Sequence, residues 1–364
     1  MGGHRWSKTR RRGRMYKKRG RHKRGKWIAR AAGIGVFLAA ALVWYGYGVH
    51  QERQQALALS GTWEPAAAAE EEAEGLGAVV EYQGKTYRRN TYVRAILLMG
   101  IDRKDTLEET KVAGSGGQAD GIFLAAQDTA RDSLRLLMIP RDTMTPITLT
   151  DLSGNVLGQD RQHLTLAYAY GDGREKSCEY TREAVSGLLE GLEIDGYMAV
   201  SAAALPMLND AVGGVEVTVE DASLAEAYPG EFPLGESVRL EGDLAETYIR
   251  YRDTGQAQSA LTRTERQKTY IQGFVQAARE TAAREEGFVP ELLDDMEPYM
   301  VTDMDKGAYM DMALAFLEGG APFGEEEMIT LPGTPAETSI YDEYHADEEQ
   351  ILPIVLDLFY REAQ

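Results

Sequence analysis

The chain is 364 residues long, with one cysteine and a formal charge of −19. A single cysteine excludes an intramolecular disulfide, and a chain of this length can bury enough surface to fold without such a staple. The charge is unevenly spread: the first 30 residues hold 14 Lys or Arg and no acid, leaving 25 basic against 58 acidic side chains in the rest. That is the pattern of an interaction tail joined to an acidic fold.

Residues 1–26 form the basic tail. Residues 31–49 carry no charge, and Trp27 and Ile28 extend the apolar run behind Arg30. At about 1.5 Å per residue in a helix, such a stretch crosses the roughly 30 Å hydrocarbon core of a bilayer. Trp27 stands at one end and Trp44, Tyr45 and Tyr47 near the other, where amphipathic rings favour the interface. The positive-inside rule predicts a single-pass protein of the cell membrane. Its tail (1–26) is cytoplasmic, residues 27–49 span, 50–78 form an extracytoplasmic linker and 79–364 an outer domain. A cleaved signal peptide could use Ala56 and Ala58, but its charged region is normally far shorter than this one. A basic run can also bind nucleic acid, yet beside a span the anionic headgroups of membrane lipid are the nearer partner. No nucleic acid is expected.

The linker is rich in Ala and Glu, with Glu70, Glu71, Glu72 and Glu74 clustered, and reads as a solvated spacer. Beyond it, residues 95–100 (AILLMG), 122–126 (IFLAA) and 134–140 (LRLLMIP) are short apolar runs between polar loops, the signature of buried strands. Amphipathic spacing predicts helices over 179–192, 201–212, 241–251 and 262–284. A strand is expected over 215–219 after the Gly213-Gly214 turn, another over 328–331, and a last helix over 348–360. Strands interspersed with helices argue for one α/β domain with helices on both faces of the sheet.

Polar residues stand at the ends of these strands. Asp102 follows the first, Asp120 opens the second, and Arg141 and Asp142 close the third. Loops at strand ends are where layered α/β folds assemble sites. If the middle strand is antiparallel to its neighbours, all three loops reach one edge. Two carboxylates and an arginine there suit a divalent cation and a phosphate, although each Asp is also an ordinary turn residue. Four arginines, Arg250, Arg252, Arg263 and Arg266, then fall within 17 positions, with Gln267 one helical turn after Arg263. A bound polyanion or a network of ion pairs with surface acids would account for them. No GxSxG elbow, Walker loop or GxGxxG is present, and the five His show no zinc spacing. Cys178 has no activating base nearby in sequence and reads as a small apolar core residue.

Taken in order, LLMGID, ADGIFL, IPRDT, LTLAYAYGDG, DAVGGVEV, YIRYR and TRTERQ resemble the LytR–CpsA–Psr family, and the late LPGTP and ILPIVLDLF are similar to its C-terminal region. The similarity runs from about Arg94 to Phe359. It implies a three-layer α-β-α sandwich with a central mixed sheet, preceded by one transmembrane helix. It also implies transfer of a glycopolymer from a polyprenyl-pyrophosphate carrier to peptidoglycan, a phosphotransferase reaction of cell-wall assembly with Mg²⁺ as cofactor. By this resemblance Asp102 and Asp120 are the metal ligands. Arg141, Arg250, Arg252, Arg263 and Gln267 bind pyrophosphate, with Gln118 beside them. Asp142 is either a base or an orienting residue, so that Asp102, Asp120, Arg141 and Asp142 make up the catalytic set.

The chain departs from the family pattern at Gln118-Ala119-Asp120-Gly121, where relatives commonly read Arg-Ser-Asp-Thr. Thr165 stands where an Asn is usual, and Leu261 or Ala260 where an acid is. The departures leave a second reading open: a member that has lost catalysis and binds lipid-linked precursors or wall polymer as a scaffold or regulator.

Overall fold

The structure is a computed structural model that describes residues 76–110, 112, 114–253, 255–256, 259–318, 324, 326–338 and 341–363. The basic tail, the expected span and most of the linker lie outside the described residues. Six strands form the central sheet: β1 (Val93–Ile101), β2 (Ala119–Asp128), β3 (Ser133–Met138), β4 (Gly196–Ser201), β5 (Met300–Thr302) and β6 (Met328–Thr330), in the order β5-β4-β1-β2-β3-β6. β2 is antiparallel to both β1 and β3, whereas β1 with β4 and β3 with β6 are parallel. The sheet is therefore mixed. The C-terminal ends of β1 and β3 and the start of β2 share one edge, which places Asp102, Asp120 and Arg141 together.

The apolar runs become strands because both of their faces are covered. Side chains alternate across the pleat, so Ala95, Leu97 and Met99 join one core and Ile96 the other. On the first face lie α1 (Thr165–Ala169) and α2 (Glu175–Leu188), with Tyr168 and Val185 buried against the sheet, together with the C-terminal helix. On the second lie α3 (Leu205–Ala211), α4 (Ala222–Ala227), α5 (Asp243–Arg250), α6 (Ser259–Arg284), α7 (Phe288–Met296) and α8 (Lys306–Glu318). They contribute Leu224, Tyr248, Tyr270, Phe288 and Met312 to its core. The C-terminal helix, α9 (Glu348–Phe359), returns to the first face through Val355 and Phe359.

The expected elements are present with shifted bounds. α2 starts four residues before the expected 179. The helix expected over 201–212 is instead a 3-10 turn (Ala202–Ala204) leading into α3, with Pro206 in its first turn, where proline's missing N–H costs nothing. The strand before it, β4, was not anticipated, although it pairs with β1 at the middle of the sheet. The unforeseen hairpins include Met144–Thr150 with Val156–His163, and Gly333–Glu337 with Asp342–Ala346. The second hairpin bears on the site. The Tyr344 N–H donates to the Asp142 carbonyl at 2.9 Å, and Tyr344 bridges Thr143.

Candidate functional site

Asp102 emerges from the end of β1 and is half-buried. Its Oδ1 accepts the Gln118 backbone N–H at 2.6 Å, so the two ends of the loop that joins β1 to β2 are latched through this carboxylate. Gly117 makes the latch possible. Its φ is +96°, and a Cβ there would stand 3.0 Å from Asp102 Oδ1, so a side chain would be strained and would crowd the carboxylate. Burial raises the Asp102 carboxyl above the ordinary range; the Gln118 N–H opposes this, and the Asp120 charge adds to it. The two carboxylates therefore feel one another.

Asp120 opens β2, and both of its oxygens are engaged. Arg141 Nη1 donates to Oδ1, and Arg263 Nη1 donates to Oδ2 at 3.0 Å. Arg263 sits in the first turns of α6, nearly fully buried, and burial lowers its pKa against the pull of Asp120. Arg141, at the end of β3, also donates from Nη2 to Gln118 Oε1 at 2.7 Å. Asp142, buried, lies between two guanidiniums, 3.3 Å from Arg141 Nε and 3.7 Å from Arg252 Nη2. Arg252 is held further by Ser259 Oγ at 2.9 Å and by Asp342 at 3.3 Å. A continuous polar chain thus runs from Asp102 through Gln118, Arg141 and Asp142 to Arg252, with Asp120 and Arg263 beside it.

This chain borders a cavity of about 390 Å³ between the second sheet face and α3, α5, α6, α7 and α8. Its mouth is polar, with Asp102, Asp120, Arg250, Arg263 and Gln267. Its interior is apolar, lined by residues such as Phe123, Leu205, Ile271, Phe274, Leu292 and Phe316. Arg250 also pairs with Glu246 one turn earlier at 2.7 Å. Arg141, Asp142, Arg252 and Gln118 do not line the cavity; they form the bank behind Asp120. Every expected site residue therefore belongs to one neighbourhood, in two ranks. The ion-pair account of the arginines also has substance, since each of the four has a carboxylate partner. Those carboxylates are site residues or buried ones as much as surface acids.

Asp342, Ser259 and Glu246 escaped the sequence reading. Asp342 and Arg252 are 90 positions apart, and no local pattern joins them. Among the described residues no group of three or more His, Cys, Asp or Glu stands ready to hold a metal by itself. Two hard carboxylates, Asp102 and Asp120, suit a Mg²⁺ ion whose remaining ligands come from phosphate or water. Among the described residues Asp102 Oδ2 accepts no hydrogen bond, while Asp120 would have to exchange an arginine for the ion.

A polar mouth over an apolar cavity, on a mixed α/β sheet, defines the class of site. The model of the LytR_cpsA_psr family matches residues 61–354, and the chain belongs to that family. Its relatives include the polyisoprenyl-teichoic acid–peptidoglycan teichoic acid transferase TagU of Enterococcus faecalis, 26% identical over 72% of this chain and 78% of the relative. The protein of the same name from Halalkalibacterium halodurans is 27% identical over 66% of this chain and 70% of its own length. Among solved structures, gbs0355 from Streptococcus agalactiae superposes with a TM-score of 0.57 at 21% identity, covering 75% of this chain and 90% of that one. TagT bound to LI-WTA gives 0.54 at 18% identity, covering 74% and 90%. These likenesses establish the fold.

Proposed function

We propose that this protein transfers a glycopolymer from a polyprenyl-pyrophosphate carrier to peptidoglycan, working on the outer face of the cell membrane from a single N-terminal span. The observation that carries this reading is the cavity, whose apolar interior suits an isoprenoid chain and whose mouth gathers Asp102, Asp120, Arg250, Arg263 and Gln267. The relatives' names point to the same chemistry. In the reaction the phosphoanhydride bond breaks and polyprenyl phosphate leaves. A new phosphoester forms to an acceptor hydroxyl, which loses its proton.

The transition state spreads negative charge over the equatorial oxygens, so positioning and electrostatic clamping do most of the catalysis. Arg250 and Arg263 meet the pyrophosphate at the mouth, and planar guanidinium forks match its oxygens bidentately. Arg141 reaches it by leaving Asp120. Asp142 aims Arg141 and Arg252, since its buried carboxylate lies against both, and this favours the orienting role over that of base. Asp102 and Asp120 would hold Mg²⁺, which when bound neutralises charge on the phosphoryl oxygens. The apolar walls exclude water that would otherwise compete with the acceptor.

The test is transfer from a short-chain polyprenyl-pyrophosphate-linked glycan to peptidoglycan fragments by the full-length chain, with and without Mg²⁺. Polyprenyl phosphate should appear in step with glycan-modified peptidoglycan. Arg141→Ala should lower turnover at least tenfold, the loss of one charge-assisted contact of about 1.5–3 kcal/mol. The second reading, a binder without catalysis, draws on Gln118 standing where relatives carry arginine. Retention of intact lipid with no phosphate release would establish it.

A further inference from the structure

The geometry points to Arg266 as a positioning residue: we propose that it fixes the exit of the chain from α5 at Tyr251, between Arg250 and Arg252, and so sets where both guanidiniums meet the anionic headgroup. This rests on the proposed pyrophosphate site and adds a residue that touches no substrate. Arg266 is only 4% exposed and is not part of the cavity lining. It follows Arg263 by three positions on α6, so one helix carries a residue of the mouth and, beside it, a residue turned into the core.

Its guanidinium meets two carbonyls and a carboxylate in the core. Nη1 donates to the Tyr248 carbonyl and Nη2 to the Tyr251 carbonyl. Nε lies 3.0 Å from Asp221 Oδ2. The guanidinium carbon stands 5.9 Å from the Tyr248 ring centroid and 5.5 Å from that of Tyr251. The two carbonyls belong to the last turn and C-cap of α5, where helix geometry leaves acceptors without partners. One planar fork therefore closes the helix end, and it does so between Arg250 and Arg252. Tyr251 leaves the helix with extended backbone (φ −51°, ψ 138°), so Arg250 is delivered to the cavity mouth and Arg252 to Asp142, Asp342 and Ser259.

Asp221 braces the fork from the other side. Its Oδ1 caps α4 by accepting the Ser223 and Leu224 N–H groups, at 2.9 and 3.3 Å, which leaves Oδ2 for Arg266. The Tyr251 hydroxyl donates to the Ser223 carbonyl at 3.1 Å, tying α4 to the end of α5. Burial lowers the Arg266 pKa and Asp221 raises it again; the charge is held in the core by two carbonyl acceptors and one nearby carboxylate. Lysine keeps the charge but lacks the fork, and cannot reach two carbonyls and a carboxylate in fixed directions.

The experiment compares geranylgeranyl pyrophosphate with geranylgeraniol as ligands of the full-length chain in lipid nanodiscs. The ratio of their affinities isolates the headgroup. Wild type should prefer the pyrophosphate, and absence of that preference would defeat the proposed site itself. Arg266→Lys should cut the preference roughly tenfold while geranylgeraniol affinity stays within about twofold. Equal loss for both ligands, or an unchanged preference, would overturn the positioning role. Asp221→Asn keeps an oxygen for the α4 cap and removes the brace, so it should give a smaller loss in the same direction. If Arg266→Lys fails to fold, an unchanged preference in Asp221→Asn overturns the proposal on its own.

Discussion

Gln118 holds two parts of the site at once. Its N–H goes to Asp102 Oδ1 at 2.6 Å, and its side-chain Oε1 accepts from Arg141 Nη2 at 2.7 Å. The side chain thus faces the arginine bank, which the sequence could suggest only through resemblance. An amide there steadies Arg141 but brings no charge. Gln118→Arg would release Arg141 from this acceptor and add a second fork beside it. Binding of a polyprenyl pyrophosphate should then strengthen roughly tenfold, about one charge-assisted hydrogen bond net of desolvation. The gain should shrink as salt rises, because a further cation would face the ligand. Titrations of both proteins at two ionic strengths check this; unchanged binding would mean that position 118 never meets the phosphate. Asp142 illustrates the limit of reading residues singly. Its place after Arg141 was plain in IPRDT, but the contact that favours an orienting role over that of base comes from Arg252, 110 positions away in the chain and 3.7 Å away in space.

At the scale of elements, legibility followed burial on two faces. β1, β2 and β3 were readable because sheet-centre strands are apolar throughout and stop at polar loops. β4 is equally buried, yet its GYMAVS runs directly into AAALPML with no polar loop to end it, so the strand went unassigned between the helices expected over 179–192 and 201–212. The strand Val156–His163 was missed for the opposite reason: it is largely exposed, and a polar sequence without alternation reads as loop. The cavity could not be read at all, since its lining comes from the sheet and five helices. Ala313, on α8, lies on that lining far from the polar mouth in sequence and in role. Ala313→Trp should fill part of the 390 Å³, since an indole exceeds a methyl by a large volume and packed walls do not yield freely. Affinity for geranylgeraniol and for its pyrophosphate should fall together, by tenfold or more on this overpacking argument. Binding of inorganic pyrophosphate with Mg²⁺ should be unchanged. A fall in pyrophosphate binding as well would mean that tail pocket and mouth are not separable.

For the molecule as a whole, the proposed chemistry requires the acidic domain to stand where lipid-linked glycan meets peptidoglycan, on the outer side of the membrane. Among the described residues no helix is long and apolar enough to cross a bilayer, so the topology rests on the charge-free run 31–49 and the basic tail. The natural thiol is a poor reporter. Cys178 is fully buried on α2, and burial pushes its pKa well up, so little reactive thiolate forms in the folded domain. In a Cys178→Ala background, Leu152→Cys places a thiol at a hairpin tip where the native side chain is 75% exposed, and Ser7→Cys places one in the basic tail. A membrane-impermeant maleimide should label Leu152→Cys on intact cells and Ser7→Cys only after the membrane is opened. The reverse pattern would put the domain in the cytoplasm, away from peptidoglycan, and would sink the transfer reaction while leaving the fold untouched. Labelling of both on intact cells would mean that the tail too is outside, and that the 14 basic residues before position 31 do not set the orientation.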